Sequence, residues 1–446
     1  MTSYAIQKGF DAKVMDCIAK PNYYWKEEIK KLNPKIIAID TSTPSIYNDI
    51  GIADELQRSM PKSKVVLVGR HVTHAPNESL KFCKNAKIVA RKEFFKPIIE
   101  ILEGKEYQKV RGISYKEGGK IHHNPDAELI NDVEKFGFIS KVINEQLNAR
   151  KYYYSSTWNP YIMLQTAWGC PYNCSFCNEV VKHKWRHRSV DHVIEELKYL
   201  DASMPFIKEI YWDDPTFVVD ETYTQELCNA IIKNKIKVKW SCVTRANISL
   251  ETLKLMKEAN GRTMHIGLES TNQDSLNNIN KGMNFLDEVE YLKNCKKIGI
   301  LNHVCLIFGL PGDTVETIKE TIETVRKLPS IDTIQIFPLI PSPVEDIFDR
   351  ESKGTVWEYL TKNNYMVTKD YSKWLKPNGL YNCVISYPNL PNKQIETLVE
   401  IGYNKFYFRI PYIFYKLKQS ILSWQDMKRN VKSFTFMMKR KIYERS

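Results

Sequence analysis

Between residues 161 and 339 the sequence alternates short β-branched or aromatic runs with longer amphipathic stretches, and this rhythm constrains the fold more than any other feature. The runs fall at 161–166, 209–213, 238–242, 263–268, 302–308 and 333–339, and helices are expected in the gaps, for example at 192–200 and 250–259. Strands separated by helices of this length pair in parallel, because the crossover carries the chain back before each new strand. Six such units over ~180 residues predict an incomplete (β/α)6 TIM-type barrel rather than a sandwich.

The first 125 residues repeat the pattern on a smaller scale. Strand runs are read at 35–40, 64–69 and 86–90, with helices at 49–59 and 94–102. An α/β fold is therefore expected twice in one chain of 446 residues. The predicted parts are an α/β domain (1–125), a linker (126–160), a partial barrel (161–350) and a helical, basic, aromatic C-terminal region (351–446). Ligands on parallel sheets sit beyond the carboxyl ends of the strands. In the first domain those ends are Asp40-Thr41-Ser42-Thr43 and Gly69-Arg70-His71-Val72-Thr73. With 43% hydrophobic and 12% aromatic residues, disorder is excluded. The longest apolar runs, such as Val304–Leu310, are far short of the ~20 residues that span a bilayer. The N-terminus lacks a basic region followed by an apolar one, so a cytoplasmic location is expected.

Directly after the first barrel strand come Cys170, Cys174 and Cys177, with three and two residues between them. Three thiolates on one short loop can bind three irons of a 4Fe–4S cluster and leave the fourth iron open. Tetrahedral zinc is the alternative, with His183 or His187 as fourth ligand.

With Phe176 just before the third cysteine, this motif resembles the signature of the radical S-adenosylmethionine (SAM) superfamily. The resemblance implies that SAM's methionine chelates the open iron. One electron, from a low-potential donor such as flavodoxin or ferredoxin, then releases a 5′-deoxyadenosyl radical. It also implies SAM contacts at successive strand ends: Asp213 and Asp214 after the second strand, Arg245 after the third, Glu269 and Ser270 after the fourth, Gly309 and Gly312 after the fifth. Taken singly, a Gly-Leu-Pro-Gly is usually a turn and an acidic pair is often a helix cap. Four such features in order carry more weight.

The order of the parts resembles the cobalamin-binding radical SAM enzymes, which include methylases and the oxidative cyclase of bacteriochlorophyll synthesis. That resemblance makes the first domain Rossmann-like and implies corrin contacts at Thr41, Ser42, Thr43, Gly69, His71 and Thr73. His71 reads as a lower axial ligand, as a contact to the corrin edge, or as a residue satisfying a loop hydrogen bond. There are departures. The chain starts near the family's first helix, so a first strand is expected to be missing, and Val68-Gly69 stands where relatives have two glycines. The bland reading is a degenerate α/β domain kept for packing or substrate docking. The expected reaction is cobalamin-dependent methylation of an unactivated carbon, with cyclisation or C–C bond formation on a lipid or tetrapyrrole as runner-up. A methylthiotransferase needs a second cysteine triad, whereas the first domain holds only Cys17 and Cys83. A non-enzymatic iron–sulfur or corrinoid protein would not need the strand-end features.

The formal charge is +13, but residues 401–446 hold eleven Lys/Arg against two acidic residues, together with eleven aromatics. Such a tail packs its aromatics on the barrel, lies on an anionic membrane, or binds nucleic acid, in that order of expectation. The implied partners are a small-molecule or lipid substrate and the electron donor, with peripheral membrane contact through the tail.

Overall fold

The structure is a computed structural model that describes residues 1–17, 25–347 and 352–443, with side chains to residue 438. The barrel boundary expected at 350 falls outside those residues. The chain forms two compact units: 1–136 with 169–184 and 340–386, and 137–168 with 185–339 and 387–446.

The first unit is built on a five-stranded sheet in the order β1 (Ile36–Asp40), β2 (Lys64–Val68), β3 (Ile88–Ala90), β4 (Ile113–Glu117), β5 (Lys120–His123). β1, β2 and β3 are parallel, with Ile37 opposite Val65 and Val66 opposite Ile88. A central strand covered on both faces must be apolar throughout, and in β2 Val65 to Val68 are all buried. The helix Ile46–Ser59 joins β1 to β2, and Phe95–Leu102 follows β3, placing Ile98 and Ile101 on Val66, Val68, Ile88 and Ile113.

The sequence reading stopped at three strands. It missed β4 and β5, an antiparallel hairpin that pairs β4 with β3. Its two-residue turn is Gly118-Gly119, both at positive φ (55° and 79°). A type I′ turn requires that geometry, and a Gly-Gly between alternating residues signals it. The stretch expected as a linker contains a helix, Ile139–Gln146, that belongs to the second unit.

The second unit holds a six-stranded, wholly parallel sheet. Its strands are β6 (Tyr161–Leu164), β9 (Glu209–Trp212), β10 (Lys239–Thr244), β11 (Gly261–Glu269), β12 (Leu301–Phe308) and β13 (Thr333–Pro338). Two-residue strands β7 (Ala167–Trp168) and β8 (Arg186–His187) pair beside it. The six strands neighbour one another in sequence order, so each βα step winds the sheet further, and β6 and β13 remain as its two edges. This is the partial barrel that the rhythm predicts.

The edge at β13 is closed by side chains. The helix Asn392–Tyr407 lies along it. Tyr403 Oη accepts from Ile336 N at 2.9 Å and donates to Ile336 O at 3.2 Å. Tyr407 Oη does the same for Ile334, at 2.9 and 2.6 Å. Four helical residues rise ~6 Å and two strand residues ~6.6 Å, so hydroxyls at i and i+4 meet outward-facing peptides at j and j−2.

Candidate radical SAM site

The cysteine loop, 169–184, folds with the first unit. Cys170 N donates to Val181 O at 3.0 Å, and Cys177 N donates back to Cys174 O at 3.1 Å, so the motif is a hydrogen-bonded turn closed at its neck. The segment after β2 pins it. His74 Nε2 lies 3.2 Å from Asn178 O, and Arg70 donates to Asn178 Oδ1 at 3.4 Å. Val356 N donates to Ser175 O at 2.9 Å. Cys174 is buried and its two partners half-buried. Burial raises the Cys170 and Cys177 thiol pKa values, and the neighbouring thiols add to the effect. Such thiols wait protonated until a metal displaces the proton.

Among the described residues no group of three His, Cys, Asp or Glu stands at metal-holding geometry. His187 is engaged in the second unit, stacked on Trp185 at 4.5 Å with Nδ1 3.0 Å from Arg188 O. Three cysteines carried on one turn match the ligand count of a cluster with one open iron, whereas tetrahedral zinc takes four protein ligands.

The first unit's strand-end residues divide into two groups. Thr41 Oγ1 donates to Val68 O at 2.7 Å, and Thr73 Oγ1 donates to Gly69 O at 2.8 Å while accepting from Lys92 N. Both serve the backbone. Gly69 has φ +104°, and a Cβ there would press on Asp40 and on Thr41 N and O, so only glycine lets the ends of β1 and β2 come this close. Ser42 bonds Ser45 Oγ at 2.8 Å. Thr43 Oγ1 is 3.0 Å from His71 Nδ1. His71 is buried and its Nε2 has no partner. Burial lowers its pKa to about 4, so the ring is neutral at pH 7. Tyr371 stands edge-on to it at 5.1 Å and donates from its hydroxyl to Glu78 at 2.7 Å. Sequence reasoning missed Tyr371, which lies three hundred residues further along the chain.

In the second unit the candidate SAM contacts are placed at strand ends as expected, but not all in the same way. Asp213 is exposed after β9. Asp214 is buried, and its carboxylate accepts from Thr166 N (2.8 Å), Thr166 Oγ1 (2.5 Å) and Ala167 N (3.2 Å). Burial pushes its pKa up to about 7. Glu269 ends β11 at φ +63°, where a register shift turns its carboxylate onto Lys281 Nζ at 3.0 Å, and both side chains are buried. Arg245 reaches the Lys281 and Gly282 carbonyls, which ties the third and fourth strand ends together. Glu288 is buried beside this group, and neither carboxylate oxygen has a partner; burial lifts its pKa to about 8. Ser270 Oγ accepts from Asn272 N at 3.1 Å. Gly309 and Gly312, at φ +88° and +92°, form a turn that the Asp313 carboxylate holds through Gly309 N and Leu310 N, both at 2.9 Å.

Below this rim, strand register brings together residues that sequence reasoning did not single out. His265 pairs with His303 across β11 and β12, ring centroids 4.6 Å apart. Tyr211 and Tyr154 flank His265 at 5.1 and 6.0 Å. Burial keeps both histidines neutral. The available signal was a histidine at a like position in two successive strands.

The radical SAM superfamily model matches residues 165–325. The chain is 30% identical over 414 residues to an uncharacterized methyltransferase of Pyrococcus horikoshii, covering 91% of this chain and 86% of that one. It is 25% identical over 308 residues to the anaerobic magnesium-protoporphyrin IX monomethyl ester cyclase of Cereibacter sphaeroides, of which it spans half the length. The fold is similar to the radical SAM methyltransferase TsrM of Kitasatospora setae, solved with cobalamin and a 4Fe–4S cluster. The TM-score is 0.61 at 18% identity, over 76% of this chain and 70% of that one.

Proposed function

The chain belongs to the radical SAM superfamily, and from that premise we propose that it methylates an unactivated carbon with cobalamin as methyl carrier. When bound, the cluster with SAM supplies a 5′-deoxyadenosyl radical and the corrinoid supplies the methyl group. Cys170, Cys174 and Cys177 would hold the cluster. Glu269 and Lys281 offer a buried, preorganised ion pair for the polar groups of SAM, with Arg245, Ser270, Asp213 and the Gly309 to Gly312 turn beside them at successive strand ends. Asp214 acts at one remove by fixing the Thr166–Ala167 backbone. Thr43, His71, Ser42 and Gly69 line the strand ends that suit a corrin edge, and neutral His71 keeps a free acceptor or donor at Nε2.

The observation that carries this reading lies within the first unit. The cysteine loop is hydrogen-bonded through Asn178 to His74 and Arg70, in the segment that leaves β2. The chain thus builds the cluster ligands onto the same body as its corrin-type strand ends. The magnesium-protoporphyrin substrate of the cyclase relative favours a large, apolar or lipid-like substrate met at a membrane surface. A low-potential donor such as flavodoxin or ferredoxin would deliver the electron.

The test uses anaerobically reconstituted protein supplied with hydroxocobalamin and methyl-labelled SAM. The expected result is about one corrinoid per chain, 5′-deoxyadenosine, and label in a product heavier by one CH2. Replacing Cys170, Cys174 or Cys177 by Ala should remove both cluster absorbance and 5′-deoxyadenosine. Product lacking label, with two hydrogens lost, would favour cyclisation. A corrin-free spectrum at saturating supply would end the methylation reading.

A further inference from the structure

The last two helices, Ile410–Leu422 and Trp424–Tyr443, turn their aliphatic residues away from the unit they belong to. On the first, Ile410, Ile413, Phe414, Leu417 and Ile421 follow i, i+3, i+4, i+7, i+11 spacing and share one face of about 100°. Phe414 is 67% exposed and Ile421 85%. The opposite face carries Tyr412, Tyr415 and Lys416, and the polar tips attach the helix: Tyr412 Oη donates to Asp332 O at 3.0 Å, and Lys296 Nζ donates to Tyr415 Oη at 3.0 Å. On the second helix Trp424, Val431 and Phe434 are each more than half exposed on one side. Lys428 stands next to that side, its ammonium 5.0 Å from the Trp424 ring centre, whereas the Lys432 ammonium turns inward onto the Tyr153 ring at 3.4 Å.

A soluble domain does not usually leave a contiguous apolar stripe of this size in water. None of the described helices is long and apolar enough to cross a membrane, so insertion across a bilayer does not explain it. Charge selects between the remaining occupants. The tail carries eleven Lys/Arg against two acidic residues, and those beside the stripe, Lys418 and Lys428, would repel the same face of a second copy and attract an anionic surface. An apolar stripe bordered by lysines, with a tryptophan at its edge, matches the boundary between acyl chains and headgroups.

We infer that this helical hairpin docks on an anionic lipid bilayer, with Ile410, Phe414, Leu417 and Ile421 entering the acyl boundary and Lys418 and Lys428 on the headgroups. The inference rests on a membrane-borne substrate for its purpose only, because vesicle binding needs neither cofactor nor turnover. Failure of methylation with binding intact therefore counts against the reaction alone.

Flotation of the full-length protein with vesicles tests it. Partitioning onto phosphatidylglycerol-containing vesicles should exceed that onto pure phosphatidylcholine by roughly a hundredfold and fall with salt. The variant F414E/L417E/I421E should lose at least about tenfold of that binding with its melting temperature unchanged, since all three side chains face water. K418E/K428E should lose the preference for phosphatidylglycerol. Wild type that stays with the soluble fraction, or a triple glutamate variant that floats equally well, overturns the inference. So does a vesicle-free dimer that the glutamates dissociate, because a second copy then covers the stripe.

Discussion

At the ends of the second unit's strands, carboxylates alike in sequence position do different work. Asp214 spends Oδ1 on the Thr166 and Ala167 N–H groups and Oδ2 on the Thr166 hydroxyl, whereas Glu269 is held by one lysine and aimed by a bulge. Asp214→Ala should therefore leave two buried N–H groups unpartnered and cost roughly 1–3 kcal/mol, read as a lower urea midpoint. Glu288 makes a prediction about pH. Its folded pKa of about 8 lies above the usual 4.5, so the folded chain keeps a proton that the unfolded chain releases. Its contribution is neutral below the unfolded value. As pH rises from there through the folded value, stability is lost at up to about 1.4 kcal/mol per pH unit. Glu288→Gln should flatten that decline between pH 5 and 8, and equal pH profiles for both proteins would contradict it. Of the residues at these strand ends, sequence spacing located the carboxylates but not their use, because use depends on which backbone groups are left unpaired by folding.

The closure of β13 by Tyr403 and Tyr407 is a property of two elements meeting, and no run of residues announces it. Removing a hydroxyl leaves the N–H and C=O of Ile334 or Ile336 without a partner. Tyr403→Phe and Tyr407→Phe should each cost roughly 1–3 kcal/mol in urea unfolding, with cluster uptake unchanged. The strands themselves were legible. The run at 302–308 is read from its Val, Ile and Phe content, and the observed strand, Leu301–Phe308, begins one residue earlier. The β4–β5 hairpin is overlooked although Gly118-Gly119 advertises it, because its strands are short and rich in Lys, His and Glu, with only Ile113, Tyr115 and Ile121 to mark the alternation. Tyrosines one helical turn apart are more often core than caps. Only the register of the neighbouring strand distinguishes the two.

For the whole molecule, the division into units departs most from what linear reading offers. The chain passes between the units five times, so the cysteine loop and the segment 340–386 are built into the body of the first sheet. A sequence boundary near 160 looks like a clean cut but removes Tyr371 from His71 and Glu345 from the backbone of Asn77 and Glu78. A fragment of residues 1–160 should accordingly be digested by protease far faster than the same residues in the intact chain, even though it holds the complete five-stranded sheet. Deleting the chain from residue 392 onward would have another kind of consequence. It would remove the two phenol groups that occupy Ile334 and Ile336, leaving a bare strand flank that offers alternating donors and acceptors to any extended segment in solution. Such a flank recruits neighbours by β-augmentation. The helix Asn392–Tyr407 thus works as an internal stopper against polymerisation, and the shortened protein should accumulate as thioflavin-positive aggregate while the intact chain stays dispersed.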